Sequence, residues 1–166
     1  MNKMIILVFS FSLIACQASA INTLTERVES EQTEPVLTDG YDALLAAELG
    51  ADDYGMSQYV MAFLKAGPNR SQDSSAQVEL QAGHMANIQR LQKMGKLVLA
   101  GPFLDDRDLK GIFIFAVGSV EEAEELIATD PAIISGRLVM EMHPWYGSAA
   151  VKQIPIIHKR IQKIQF

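Results

Sequence analysis

The chain has 166 residues, of which 49% are hydrophobic and 20% are charged, a composition typical of a globular protein with one ordinary core. Its net charge of −6 argues against a general nucleic-acid binder, because such proteins need a basic face to displace counterions from phosphates. We therefore expect a single domain with no nucleic-acid partner.

The first twenty residues have the pattern of a secretory signal. Lys3 gives a positive start, and an apolar run too short to span a membrane is followed by small residues. Residues 13–16 (LIAC) resemble a lipobox, in which the thiol of Cys16 is acylated, whereas residues 18–20 (ASA) fit an ordinary signal peptidase. The sequence predicts export to the periplasm, with a lipid anchor at the outer membrane if Cys16 is modified and no other membrane contact.

Residues 21–40 are polar and acidic and contain Pro35, which predicts a linker before a domain at 41–166. Cys16 is the only cysteine, so the domain has no disulfide and depends on packing for its stability. Periodicity and capping residues predict, in chain order, a helix at 41–49, a strand at 59–64, a helix at 74–94, strands at 96–102 and 112–117, a helix at 119–129 and a strand at 137–146.

Local signals support these elements. Ser74 with Gln77, and Ser119 with Glu122, form potential capping boxes at the starts of the two long helices. The first and third strands are apolar on both faces, which predicts central positions in a sheet, and Pro102 suits an edge strand because proline cannot donate to the ladder.

The order β-α-β-β-α-β predicts an α+β fold of the ferredoxin-like kind. Right-handed crossovers place both long helices on one face of the sheet, so the opposite apolar face has no predicted cover within the domain. Because soluble monomers rarely expose so large a patch, we expect a two-fold homodimer with the sheets packed face to face.

His84 is the most unusual side chain in the pattern. It lies in the middle of the apolar arc of the first long helix, between the directions of Ile88 and Leu91. A half-buried histidine at a cleft is a candidate general acid or base, and the alternative is a core histidine satisfied by one polar partner.

The patterns around other polar and aromatic residues point less strongly to a functional role. His143 and Trp145 share one face of the last strand, where they either line a pocket or seal the end of the sheet. Asp106 lies in an acidic loop that is a solvated turn or a ligand contact, and Asp130 precedes Pro131, where it caps or turns the chain unless it takes part in catalysis. No spacing predicts a metal site or a cofactor.

Basic residues gather near the C-terminus in a short amphipathic stretch, which is either a solvated helix face or a contact for an anion or a membrane. These residues are Lys152, His158, Lys159, Arg160 and Lys163.

From residue 41 onward the chain resembles the YciI (YCII-related) family. The resemblance lies in residues 83–88 (GHMANI), 95–103 (GKLVLAGPF), 111–113 (GIF), 121–123 (EEA), 129–132 (TDPA) and 143–147 (HPWYG). It implies a ferredoxin-like domain of the dimeric α/β-barrel type.

The family resemblance also implies an active site that pairs His84 with an acidic residue near the start of the second strand. This chain has Met94, Gly95 and Lys96 there, which leaves Asp106 or Asp130 to supply the acid. The family includes a dehydrochlorinase acting on a hydroxylated chloroaromatic.

The resulting hypothesis is a cofactor-independent lyase, dehydrochlorinase or isomerase for a small organic molecule. His84 acts as acid or base, with Asp130 as its acidic partner, and His143, Trp145 and Asp106 bind the substrate. The alternative is a non-catalytic envelope protein that binds a small molecule or has a structural role.

Overall fold

The computed structural model describes residues 40–164. The predicted leader, Cys16 and all of the predicted linker except Gly40 lie outside these residues. The elements, in chain order, are α1 Ala43–Glu48, β1 Met56–Ala66, α2 Ser74–Lys93, β2 Leu97–Pro102, β3 Leu109–Phe115, α3 Val120–Ile127, α4 Pro131–Ile134, β4 Leu138–Ser148, a 3-10 helix Ala149–Gln153 and α5 Ile154–Ile161. Among the described helices, none combines the length and the apolar character needed to cross a bilayer.

The four strands form one antiparallel sheet in the order β2-β3-β1-β4. β1 pairs with both β3 and β4, and β2 pairs only with β3. This strand order, with one long helix after β1 and another after β3, is the ferredoxin-like arrangement. The predicted α+β fold is confirmed, and so are the central positions of the first and third strands and the edge position of β2.

α2 begins with a different cap from the one predicted. Asp73, not Ser74, is the N-cap, and its Oδ1 accepts a hydrogen bond from the backbone N–H of Ala76 at 2.8 Å. The predicted capping box of Ser74 and Gln77 is therefore wrong. A carboxylate at this position satisfies the same free N–H groups and also interacts favourably with the positive end of the helix dipole.

The segment after α3 forms a short helix, α4, where the sequence predicted only a turn. Asp130 is its N-cap, with Oδ1 accepting from the backbone N–H of Ala132 at 2.9 Å. Pro131 occupies the first turn, where its fixed φ suits a helix start and its missing N–H has no cost. The capping role predicted as one option for Asp130 is confirmed.

One face of the sheet packs against α2 and α3 and forms the main core. Alternate residues of β1 and β3 point into it, as the period of two in a strand requires. The buried members are Val60, Ala62, Leu64, Leu91, Leu97, Phe113, Phe115, Val117, Ala123 and Ile127.

The opposite face of the sheet is partly covered by the chain itself, so the predicted lack of cover is wrong in part. The 3-10 helix packs against β1 and β2, and α5 packs against β2. Tyr59, Val98 and Ile114 are buried there and contact Trp145 and Val151. The sequence pattern missed this because the short C-terminal elements carry few apolar residues that point inward.

The uncovered remainder of this face is called the open face below. Its residues are Met61, Phe63 and Lys65 of β1, Ile112 of β3, and Val139, Glu141 and His143 of β4, which are half-buried or exposed.

Candidate active site

α2 carries His84 on the side that faces the sheet. The side chain is 9% exposed, and the ring stacks on Phe113 of β3 with a centroid distance of 5.9 Å and an interplanar angle of 11°. His84 is therefore more deeply buried than the sequence predicted. The aromatic ring of Phe113 forms one wall of its surroundings.

Asp130 is the partner of His84. Nδ1 of His84 lies 2.8 Å from Oδ2 of Asp130, whose side chain is fully buried. Asp106 instead lies exposed in the β2–β3 loop. Of the two acids that the sequence left open, the structure brings Asp130 to the histidine.

Every contact around Asp130 favours the ionised carboxylate. Burial by itself raises the pKa of Asp130, but the hydrogen bond and the charge of His84, the backbone N–H of Ala132 and the amide of Asn87 outweigh it and hold the pKa below the ordinary value of 3.8. A carboxylate can only accept, so Nδ1 of His84 carries the hydrogen and donates it to Asp130. In the neutral ring, Nε2 is then left as the acceptor.

Nε2 of His84 has no hydrogen-bond partner among the described residues. In the same part of the chain, no fully buried side-chain nitrogen or oxygen lacks a partner. It follows that Nε2 reaches solvent even though most of the ring is buried. An unpaired imidazole nitrogen of this kind can take a proton from a bound molecule or give one to it.

Two further residues of α2 hold the pair in place. Nδ2 of Asn87 donates to Oδ2 of Asp130 at 3.0 Å, and Nη2 of Arg90 donates to Oδ1 of Asn87 at 2.7 Å. Arg90 also donates to the carbonyl oxygen of Leu126 at 2.9 Å. Neither Asn87 nor Arg90 was predicted from the sequence, although a spacing of three residues separates His84 from Asn87 and Asn87 from Arg90, which makes each pair neighbours on successive helix turns.

A close approach between α2 and α4 makes the pair possible. At Gly83, a Cβ atom would lie 2.7 Å from Cγ of Pro131, which is too close for two carbon atoms. Because Gly83 precedes His84 and Pro131 follows Asp130, the absence of a side chain here lets the two functional residues meet. This role of Gly83 was not predicted from the sequence.

His143 lies on the opposite side of the sheet from His84, on the open face. Its Nε2 is 2.9 Å from Oε1 of Glu141, and its ring meets Phe63 edge-on at 5.9 Å. Glu141 also pairs with Lys65, and the hydrogen bonds from Lys65 and then His143 lower its pKa. Within one chain, His143 is thus separated from the His84–Asp130 pair by the sheet.

Trp145 also lies away from the pair. It packs against Tyr59 at 5.5 Å between ring centroids and lines a cavity of about 320 Å³ with Tyr59, Pro144 and Tyr146. A second groove, of about 270 Å³, lies between α3 and β4 and has a mainly apolar lining that includes Met140. The structure does not bring His143, Trp145 or Asp106 to His84.

The residues that the structure describes contain no group of three or more histidine, cysteine, aspartate or glutamate side chains placed to hold a metal ion. The fold and the buried pair define a ferredoxin-like domain with a histidine–aspartate candidate site. Residues 59–145, just over half of the chain, match the family model of the YCII-related domain. The chain belongs to this family.

Two similar proteins illustrate the relationship. The uncharacterized protein YjpA of Bacillus subtilis (strain 168) is 34% identical over 64 residues, which cover 39% of this chain and 73% of that protein. A solved structure of 5-chloro-2-hydroxyhydroquinone dehydrochlorinase (TftG) from Burkholderia phenoliruptrix AC1100, in complex with 2,5-dihydroxybenzoquinone, is 22% identical. It matches with a TM-score of 0.39 over 54% of this chain and 93% of that chain.

Proposed function

We propose that the domain is an enzyme that moves a proton on a small organic molecule. His84 is the acid or base and Asp130 is the residue that orients it. The observation that carries the proposal is the 2.8 Å contact between Nδ1 of His84 and Oδ2 of Asp130, because it leaves Nε2 free and fixes the tautomer. In such a pair the carboxylate also stabilises the imidazolium that forms when Nε2 accepts a proton.

The substrate class follows from the free Nε2 of His84, which acts on a molecule that carries a removable proton, such as an aromatic ring with hydroxyl groups or a cyclic ketone. Phe113 packs beside the imidazole but is buried in the core, so it holds the histidine ring and is not a surface for the substrate. Nε2 removes a proton from an acidic carbon or oxygen of that molecule. The electron pair left behind then expels a leaving group, as in a lyase, or Nε2 returns the proton to another atom, as in an isomerase. Neither route requires a cofactor.

The test is exchange of carbon-bound protons in deuterated water, which reports reversible removal of a proton from carbon by Nε2 even when no product accumulates. The protein is incubated with a panel of hydroxylated aromatics and cyclic ketones, and loss of carbon-bound proton signals is followed by NMR. We expect exchange with at least one compound, loss of that exchange in His84→Gln, and a reduction of about 100-fold or more in Asp130→Asn. His143→Gln, on the other side of the sheet, is the control and keeps its activity.

A non-catalytic binder or structural protein is the second candidate. It is supported by the complete burial of Asp130 and by its bond to Ala132, because capping α4 is a structural role in itself. A panel compound that raises the melting temperature of the protein by binding the native state, but exchanges no protons in the wild type, would favour this candidate.

We also propose that the protein is a homodimer that buries the open face. Phe63 and Met61 form an apolar surface there that the 3-10 helix and α5 leave uncovered, and a two-fold axis through this face would pair it with its own copy. Light scattering at micromolar concentration checks this. We expect a dimer for the wild type and a monomer for Phe63→Lys, and a wild-type monomer contradicts the proposal.

Export remains a proposal that the leader supports. Mass spectrometry of the mature N-terminus separates its two forms. An acylated Cys16 at the terminus indicates a lipid-anchored protein, an unmodified start at Ile21 indicates a free periplasmic protein, and an intact Met1 in the cytoplasmic fraction contradicts export.

A further inference from the structure

The C-terminal segment carries an exposed row of isoleucines that the proposed function does not use. Ile154, Ile157 and Ile161 lie on one side of α5, and Ile164 follows just beyond the helix. Their exposed fractions are 38%, 51%, 73% and 82%. The half-buried positions of this segment are instead Pro155 and Gln162. α5 therefore keeps its less apolar side toward the domain and leaves these isoleucines, here called the isoleucine stripe, in water.

The charged side chains of the C-terminal segment that carries the stripe all have one sign. From Ala149 to the end of the sequence there is no aspartate or glutamate, although the whole chain has a net charge of −6. Arg160 borders the stripe on the helix, and Lys163 follows in the next turn. Lys152 is not part of this surface, because its Nζ donates inward to the carbonyl oxygen of Leu49 at 2.6 Å and to Oγ of Ser57 at 2.9 Å.

We propose that the isoleucine stripe, with Arg160 and Lys163, binds the surface of an anionic lipid bilayer. An amphipathic helix of this kind lies in the plane of the membrane, with apolar side chains among the acyl chains and basic groups among the phosphates. Charge complementarity favours a bilayer over a second copy. A two-fold contact through the stripe would bring Arg160 and Lys163 near their own symmetry mates, and this segment has no aspartate or glutamate to balance them.

The proposal is tested in the full chain by measuring whether a chosen position of the protein enters the bilayer. A tryptophan is introduced at the stripe by Ile161→Trp and, in a matched control, on α2 by Val78→Trp, since Val78 is 69% exposed. The vesicles contain phosphatidylglycerol and brominated phosphatidylcholine, whose bromine atoms quench tryptophan fluorescence. We expect quenching of the fluorescence of the introduced tryptophan, over that of Trp145, in Ile161→Trp and not in Val78→Trp. This difference does not depend on the N-terminal leader, because both variants carry it.

Three double variants separate the contributions of the basic groups and of the isoleucines to vesicle binding. Arg160→Gln/Lys163→Gln is expected to weaken binding to phosphatidylglycerol vesicles about 25-fold, at about fivefold per basic residue. Arg107→Gln/Lys110→Gln removes the same charge from the β2–β3 loop and the start of β3 and is expected to change binding less than twofold. Ile157→Gln/Ile161→Gln replaces exposed side chains, so it folds normally and loses the binding.

Three results would overturn the proposal. Equal quenching at positions 161 and 78 means that the leader alone holds the protein at the vesicle. Equal loss in the two charge variants means that the net charge alone decides. If Ile157→Gln/Ile161→Gln instead turns a dimer into a monomer without lipid and vesicle binding is unchanged, the stripe is a contact between two copies.

Discussion

Replacing Gly83 by alanine tests whether the packing of α2 on α4 sets the geometry of the His84–Asp130 pair. The new Cβ would lie 2.7 Å from Cγ of Pro131, and an ordinary contact needs about 0.7 Å more. If α4 retreats by that amount, the 2.8 Å contact between Nδ1 and Oδ2 lengthens to about 3.5 Å, beyond the range of a good hydrogen bond. Overpacking lowers the free energy of unfolding by about 1 to 3 kcal/mol. The higher helix propensity of alanine offsets about 0.5 to 1 kcal/mol of this loss.

We therefore expect Gly83→Ala to lower the free energy of unfolding by about 1 kcal/mol and to weaken the low-field NMR signal of the His84 Nδ1–H. Gly118→Ala is the control, because nothing lies within 4 Å of a Cβ there. Adding Pro131→Ala to Gly83→Ala removes the obstructing ring and should restore the signal. An unchanged signal and unchanged stability in Gly83→Ala would refute the idea that this contact sets the pair.

Three other substitutions test the supporting contacts. Asp130→Asn is expected to lower the free energy of unfolding by about 1 to 3 kcal/mol at pH 7. Since the native state lowers the pKa of Asp130, this stabilisation is present above pH 3.8 and is lost as the pH falls through the lowered pKa. Urea unfolding from pH 7 to pH 3 should therefore show the gap between wild type and variant closing, and a constant gap contradicts the assignment. Arg90→Met removes the donor to Asn87 and is expected to lower the free energy of unfolding, measured by thermal unfolding, by about 1 kcal/mol. An unchanged free energy of unfolding would show that this hydrogen bond does not stabilise the fold. Tyr59→Phe removes a buried hydroxyl that donates to the carbonyl oxygen of Ser148 at 3.0 Å, so faster amide exchange in the 3-10 helix is expected, and unchanged exchange would show that other contacts hold this segment.

Local patterns were sufficient for the four strands, for α1, α2 and α3, and for the central and edge positions in the sheet, but not for α4 or the elements after β4. The apolar faces of the first and third strands, together with Pro102, predicted which strands are central and which is an edge, because each of these signals acts within a few residues. The residues that cap the helices were predicted less accurately. Ser74 and Asp73 are adjacent and both can cap a helix, and the choice depends on backbone angles that the sequence pattern does not determine.

The candidate site, too, was predicted only in part from the sequence. The sequence by itself determined that His84 points toward the sheet, because a helix of fixed period places it among apolar neighbours. Only the tertiary structure decided that Asp130, 46 positions away, is its partner, since that pairing depends on how α4 packs against α2 at Gly83. It also decided that His143 and Trp145 lie across the sheet from His84. Alternation along β4 shows which residues share a face, but which face meets the helices is set by the packing of the whole domain.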